Sequence, residues 1–271
     1  MKKSIALSLI LMLMLLEWPA YNIFRYNDLT SAGSTGLADT SEAKSLLGTW
    51  EKCSVEEAQH NIDLTDEEYL KQQTENNIKK QIEDTIKKIE KGKLTYRELF
   101  SDVYVCGDSL VAGLSSFGLV NGNHLMARVS ANLKGLRENL PRIKRAKPKI
   151  LILHYGINHI SSKKGKDEQF ANNYRKLIKQ IKESCPKTRI IISLLFPVDT
   201  NIAKDVRFTA VDRFNKALKK MCEEEGIEYL DNSSLAKQCS EYTKGDGIHM
   251  ERDFYTKFWG KHIIREMRIY K

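Results

Sequence analysis

The sequence is short of the residues that build linkers and cross-linked or metal-pinned folds. It has 5 prolines in 271 residues, which argues against a long proline-rich linker. Its 5 cysteines are Cys53, Cys106, Cys185, Cys222 and Cys239. The count is odd and no C-x-x-C pair occurs, so zinc spacing is absent. Cys106 sits in an apolar run and reads as a small buried hydrophobe. One disulfide among the other four fits the count, with no pairing assigned. There is no Gly-rich phosphate loop, no carboxylate cluster for a metal and no internal repeat. No cofactor is expected. No uninterrupted apolar run reaches the roughly 20 residues of a spanning helix.

What is present is charge. Lys and Arg number 44 against 35 Asp and Glu, a net charge of +9, and 41% of residues are hydrophobic. That composition fits a soluble globular body. The positive balance favours anionic surroundings: nucleic acid, lipid headgroups or anionic wall polymers. No nucleic-acid motif accompanies it, and nucleic acid is not expected as a partner.

The first 24 residues have a positive start, Lys2-Lys3, then an apolar run from Ile5 to Leu16. The run has signal-peptide length. Glu17 interrupts it, and Trp18 to Phe24 is again mostly apolar, so Ser4 to Phe24 spans a membrane if Glu17 sits at the outer interface. No lipobox cysteine and no clean A-x-A site follow. The reading is a signal peptide or membrane anchor over 1–24, with an uncleaved anchor preferred. The lysines place the rest of the chain outside the cytoplasm. Residues 25–54 then read as a flexible tether. Residues 55–95 are a charged helical segment. Leu70, Ile78, Ile82, Ile86 and Ile89 fall near one helical face, as a stalk or regulatory arm, or as a peripheral helix packed on the main domain.

From residue 96 to 271 the texture changes. Short β-branched runs alternate with amphipathic stretches. Val103–Cys106, Lys149–Tyr155, Arg189–Leu195 and Ile227–Leu230 read as strands, with a weaker one near Met126–Val129. Phe170–Ser184 and Val211–Glu225 read as helices. Near-continuous apolar strands separated by helices imply a parallel sheet covered on both faces, a three-layer α/β domain. Sites in such sheets form at the carboxyl ends of strands.

Three motifs fall at such places. Gly107-Asp108-Ser109-Leu110 follows the first strand and sets Ser109 at the mouth of a helix, where backbone N–H groups and the dipole favour developing negative charge. A serine needs a base to become a nucleophile. Asp246-Gly247-Ile248-His249 offers one: the three-residue spacing lets Asp246 reach Nδ1–H of His249, leaving Nε2 for Ser109. Gly156-Ile157-Asn158-His159 follows the Lys149–Tyr155 strand, and the Asn158 amide is placed to donate to an oxyanion. Singly, each motif reads as readily as a turn, a cap or a structural pair. In this order and context they point to a catalytic serine with its base and an oxyanion donor.

The order G-D-S-L, G-x-N, D-x-x-H resembles the SGNH, or GDSL-type, hydrolase superfamily. Phe196-Pro197-Val198, Phe214-Asn215 and Phe254-Tyr255 extend the resemblance, which runs from about Phe100 to the C-terminus. It implies a flavodoxin-like α/β/α sandwich, with Ser109 as nucleophile, His249 as base, Asp246 as its orienting partner and Asn158 in the oxyanion hole beside the Ser109 backbone. It also implies an extracellular, N-terminally anchored, Firmicute-like subgroup. Two positions depart from the pattern. Ser130, in Ala127-Arg128-Val129-Ser130, stands where the family places an oxyanion-hole glycine, and a left-handed backbone there would strain a serine. His159 replaces an aspartate that supports the Asn158 loop.

The remaining candidates read blandly. His154 is a packed histidine, and His124 and His262 lack partners in sequence. Arg142, Lys144, Arg145, Lys147 and Lys149 read first as a solvated helix end and second as a contact for an anionic polymer. The expected substrate is an ester, an O-acetyl group on a cell-wall or extracellular carbohydrate, with a lipid ester as the enzymatic rival. The alternatives are a catalytically weakened scaffold of the cell envelope and an acetyltransferase using the same triad.

Overall fold

The computed structural model describes residues 55–271. The expected anchor and tether lie outside them, as does Cys53. Residues 69–271 form one compact unit, and residues 55–68 fall outside it. Among the described residues no helix is long and apolar enough to cross a membrane.

The order of elements is α1 (Val55–Glu90), α2 (Tyr96–Leu99), β1 (Val103–Gly107), α3 (Ser109–Ser116), β2 (Leu125–Ala127), α4 (Leu133–Ala146), β3 (Ile150–His154), α5 (Lys166–Ser184), β4 (Arg189–Ser193), α6 (Val211–Glu225), β5 (Glu228–Leu230), α7 (Ala236–Glu241) and α8 (Gly260–Glu266). One wide helical turn, Phe254–Trp259, leads into α8. All strands are parallel, in the order β2-β1-β3-β4-β5. This is the flavodoxin-like order. The step from β1 to β2 and the step from β2 to β3 run in opposite directions along the sheet. Right-handed crossovers therefore put α3 on one face and α4, α5 and α6 on the other, and α4 packs on α5 and α5 on α6. The domain is an α/β/α sandwich.

The central strands are apolar on both faces because both faces are covered. In β3, Leu151, Ile152 and Leu153 are all buried; in β4, so are Ile190, Ile191 and Ile192. Five strands of three to five residues put the strand ends close to the core, so side chains just past them are held by well-packed neighbours. Cys106, Cys185, Cys222 and Cys239 are free buried thiols, so no disulfide forms among them. Burial pushes the Cys222 and Cys239 thiols up to about 12, which keeps them unreactive.

The second half of α1 is part of this body. Ile82 and Ile86 are buried, with Ile78 and Ile89 half-buried against the core. Thr85 Oγ1 donates to the Lys271 carbonyl at 3.0 Å. Arg265 and Arg268 pair with Glu83 and Glu75. Leu70, on the same predicted stripe, is 63% exposed. The stripe is a packing surface only from about Ile78 onward.

Candidate active site

β1 ends at Gly107, and the chain turns at Asp108 into α3. Asp108 is the N-cap: its Oδ1 accepts from the Leu110 N–H at 3.0 Å. An aspartate cap satisfies an otherwise orphaned donor of the first turn, and fixes Ser109 as the first helical residue. Gly107 is required by close approach. A Cβ there would lie 2.6 Å from the His154 carbonyl oxygen and 2.7 Å from Val111 Cγ2. On the far side of the turn, the Tyr255 hydroxyl donates to the Leu110 carbonyl at 2.6 Å. Its ring fills the space that a Cβ on Gly113 would need.

His249 reaches Ser109 from a loop between α7 and the wide turn. Thr243 and Met250 bridge antiparallel at the base of this loop. Lys244 N–H donates to the His249 carbonyl at 2.7 Å, and Glu251 N–H to the Tyr242 carbonyl at 2.7 Å. Inside the loop, Asp246 Oδ1 accepts from the backbone N–H groups of Ile248 (2.9 Å) and His249 (2.8 Å). Asp246 Oδ2 lies 2.6 Å from His249 Nδ1, and His249 Nε2 lies 2.9 Å from Ser109 Oγ. The network assigns Nδ1–H as donor to the carboxylate and Nε2 as acceptor of the Ser109 proton. Burial alone would raise the Asp246 carboxyl. The His249 ring and the two backbone N–H groups outweigh that and hold it below the usual range. It is an anion at neutral pH.

The expected oxyanion elements come to the same edge. Ser109, Ser130 and Asn158 follow β1, β2 and β3 at their carboxyl ends, around the switch point between β1 and β3. Asn158 Nδ2 donates to the Ala131 carbonyl at 2.9 Å. One amide hydrogen is thus tied to the loop holding Ser130, and an amide nitrogen has a second to give. Gly156, which opens the Asn158 turn, has φ of 149°. A Cβ there would also lie 2.9 Å from Leu195 Cδ2. Ser130 is left-handed, with φ of 55°, the conformation that the missing glycine would adopt without strain. His159 packs its ring on Phe170 with centroids 4.8 Å apart, and its Nδ1 is buried without a partner. Burial lowers its pKa. It fills the aspartate's place as a neutral apolar wedge.

The other histidines stay out of the site. His154 is buried with Nδ1 3.1 Å from Ser193 Oγ, and burial lowers it to about 4. His124 stacks on Tyr104 and His262 donates to the Asp231 carbonyl at 2.8 Å. Two roles were not read from sequence. One is the Asp108 cap, for which the signal was an aspartate directly before a helix. The other is Asn215, whose amide accepts from the Leu195 N–H (2.8 Å) and donates to its carbonyl (2.9 Å). Phe214-Asn215 was read only as part of the family resemblance, since a clamp between a helix and the segment after β4 is set by tertiary packing.

A flavodoxin-like sheet with Ser109, His249 and Asp246 hydrogen-bonded in series at its carboxyl edge defines the class: a serine hydrolase on an α/β/α frame. The model of the GDSL-like lipase/acylhydrolase family matches residues 105–257. The chain belongs to that family and is a serine ester hydrolase. No curated protein sequence matches it. Among solved structures it is similar to a lipase/acylhydrolase from Enterococcus faecalis, at 16% identity and a TM-score of 0.47, covering 61% of this chain and 94% of that one. It is also similar to an acetylxylan esterase from Geobacillus stearothermophilus, at 15% identity and a TM-score of 0.45, covering 61% and 93%.

Proposed function

We propose that the protein hydrolyses an O-acetyl ester on a carbohydrate outside the cytoplasm, through Ser109, His249 and Asp246 and an acyl-enzyme. The observation that carries the triad is the unbroken chain from Ser109 Oγ to His249 Nε2 (2.9 Å) and from His249 Nδ1 to Asp246 Oδ2 (2.6 Å). In the first step Ser109 Oγ bonds to the acyl carbon while its proton passes to Nε2. The negative charge moves to the former carbonyl oxygen. Backbone N–H groups of Ser109 and Ser130 and the free amide hydrogen of Asn158 are the donors for that oxyanion. Collapse breaks the bond to the sugar oxygen, which leaves with the proton from Nε2. Water then gives one proton to Nε2 and its OH to the acyl carbon; acetic acid departs as Ser109 regains its hydrogen from Nε2, and ionises to acetate in solvent. Asp246 stays ionised and stabilises the imidazolium.

The openness of the site supports a substituent on a bulky substrate. Ser109 is half-buried, while Asn158 and Asp246 are exposed. The location rests on Lys2, Lys3 and the Ile5–Leu16 run; digestion by protease added to intact cells reads it, and a chain found wholly in the cytosol contradicts it. The test of the triad is turnover of p-nitrophenyl acetate. Ser109→Ala should reduce it by at least about a thousandfold while circular dichroism and melting stay unchanged. Undiminished turnover by a folded Ser109→Ala protein removes the assignment. A second reading, a weakened enzyme serving as a scaffold, is favoured by Ser130 in a left-handed backbone and by the unpartnered Nδ1 of His159. Steady release of acetate over many turnovers excludes it.

A further inference from the structure

The loop that carries Asp246 and His249 fixes its own shape but not its own place. Asp246 Oδ1 closes it from within, through the Ile248 and His249 N–H groups. The Asp246 and His249 side chains are 47% and 42% exposed, and a pair so open to water does little to anchor a loop. The reaction nevertheless needs His249 Nε2 kept at hydrogen-bond distance from Ser109 Oγ, now 2.9 Å, and small displacements there are costly. The buried Met250 anchors one leg of the loop. The tip has to be held from outside.

The segment after β4 meets that tip. Gly247 is buried and has φ of 76°. A Cβ on it would lie 2.7 Å from the Ala203 nitrogen, 2.8 Å from the Ala203 Cβ and 3.1 Å from the Asp199 carbonyl oxygen. Glycine is needed for the left-handed backbone and again for this close approach. Asp199 builds the wall that Gly247 touches. Its carbonyl accepts from the N–H groups of Ile202 (3.1 Å) and Ala203 (2.8 Å), and its Oδ1 accepts from the Asn201 N–H at 2.9 Å. An aspartate that closes its own turn in this way stiffens it. The other oxygen, Oδ2, accepts from the Ser240 hydroxyl at 2.5 Å. Ser240 is the next to last residue of α7, the helix that leads into the catalytic loop. One side chain thus ties that helix to the wall behind the loop's tip. The Ser240 hydroxyl and the Asn201 N–H hold the Asp199 carboxyl below the usual range, so it is an anion at neutral pH.

We infer that Asp199 is a positioning residue of the triad. It clamps α7 to the 199–203 turn, and so sets where Asp246 and His249 stand relative to Ser109. It acts through Ser240 and Gly247 and not on the substrate. The inference deepens the reaction proposed above and rests on it.

The test uses the full chain and the variants Asp199→Ala, Asp199→Asn and Ser240→Ala. p-Nitrophenyl acetate is the substrate, and a fluorophosphonate counts active sites. Per titrated site, Asp199→Ala should lower kcat by roughly tenfold to a hundredfold. KM should stay within about twofold, because His249 serves acylation and deacylation alike and both slow together. Asp199→Asn keeps an oxygen for the Asn201 N–H and offers an N–H to the Ser240 oxygen, and should restore kcat to within about threefold of the parent. Ser240→Ala should lower kcat by roughly threefold, and add nothing in the Asp199→Ala background. Nitrogen NMR of histidine-labelled protein, at about pH 8.5 where imidazoles are neutral, reads the loop without turnover. His249 should show the Nδ1–H tautomer in the parent and in Asp199→Asn, and a mixture of tautomers in Asp199→Ala, where Asp246 no longer fixes the ring. A loss of activity fully matched by a loss of titrated sites overturns the inference. So does a parent-like tautomer in Asp199→Ala, or a kcat as low in Asp199→Asn as in Asp199→Ala. Should Asp199→Ala not fold, Ser240→Ala decides by the same kinetic and NMR readings. If the parent neither turns over ester nor takes up the probe, the esterase reading falls, and the tautomer still decides whether Asp199 places the pair.

Discussion

Asp108 stands one residue before the nucleophile, fully buried, with Oδ1 capping α3 and Oδ2 without a partner. Burial raises its carboxyl to about 7, against the pull of the Leu110 N–H and of His249. The native state thus holds a proton that the unfolded chain has released. The Asp108 contribution to stability should fall as pH rises from about 4 to about 7, by up to about 1.4 kcal/mol per pH unit, and then level off. His154 has the opposite slope: burial lowers it to about 4, so its contribution is lost as pH falls from about 6.5 towards 4. Asp108→Asn keeps the cap oxygen and removes the titration. With that titration gone the His154 rise is unopposed, so between about pH 5 and about pH 8 the variant's urea midpoint should climb while the parent's, in which the two slopes largely offset, stays nearly level or falls. Parallel pH profiles for the two proteins would show that Asp108 is ionised throughout. Ser130 is the second informative residue. Its φ of 55° costs a serine about 1 kcal/mol that glycine avoids. Ser130→Gly should hold or raise stability by up to about 1 kcal/mol, measured by urea denaturation, and turn over ester at least as fast. A loss above about 1 kcal/mol would mean that the serine side chain is itself required.

At the scale of elements, what could be read from sequence followed burial. β3 and β4 are buried on both faces, and their apolar runs stood out. α6 was read with its observed bounds, Val211–Glu225, because it is strongly amphipathic and ends at a left-handed Gly226. β2, three residues at the sheet edge, was read one residue late because an edge strand carries a weaker apolar signal. α1 exposes the limit of periodicity. Leu70 and Ile86 were read as near one face, yet sixteen residues at 3.6 per turn set them about 160° apart, and one is 63% exposed and the other 2%. Ile86→Ala should cost about 2–4 kcal/mol, and Leu70→Ala no more than about 0.5 kcal/mol, in urea midpoints. Similar costs at both positions would mean that Leu70 is covered in solution.

At the scale of the molecule, the sheet edge assembles residues from four distant stretches: Ser109 after β1, Ser130 after β2, Asn158 after β3, and Asp246 with His249 near the C-terminus. The three motifs were legible because each is short and contiguous. Their closure into one site was legible only through strand order, since nothing local brings His249 within 2.9 Å of a residue 140 positions away. The left-handed Ser130 and the wedge made by His159 were visible as departures, but their conformations depend on packing. The triad is tested most directly by a fluorophosphonate probe, which bonds to an activated serine and needs no knowledge of the substrate. After labelling of the intact protein, peptide mass spectrometry should place the adduct on Ser109 alone, and His249→Ala should slow labelling by at least about a hundredfold in a folded protein. An adduct on another serine, or labelling at the parent's rate by His249→Ala, would contradict the triad.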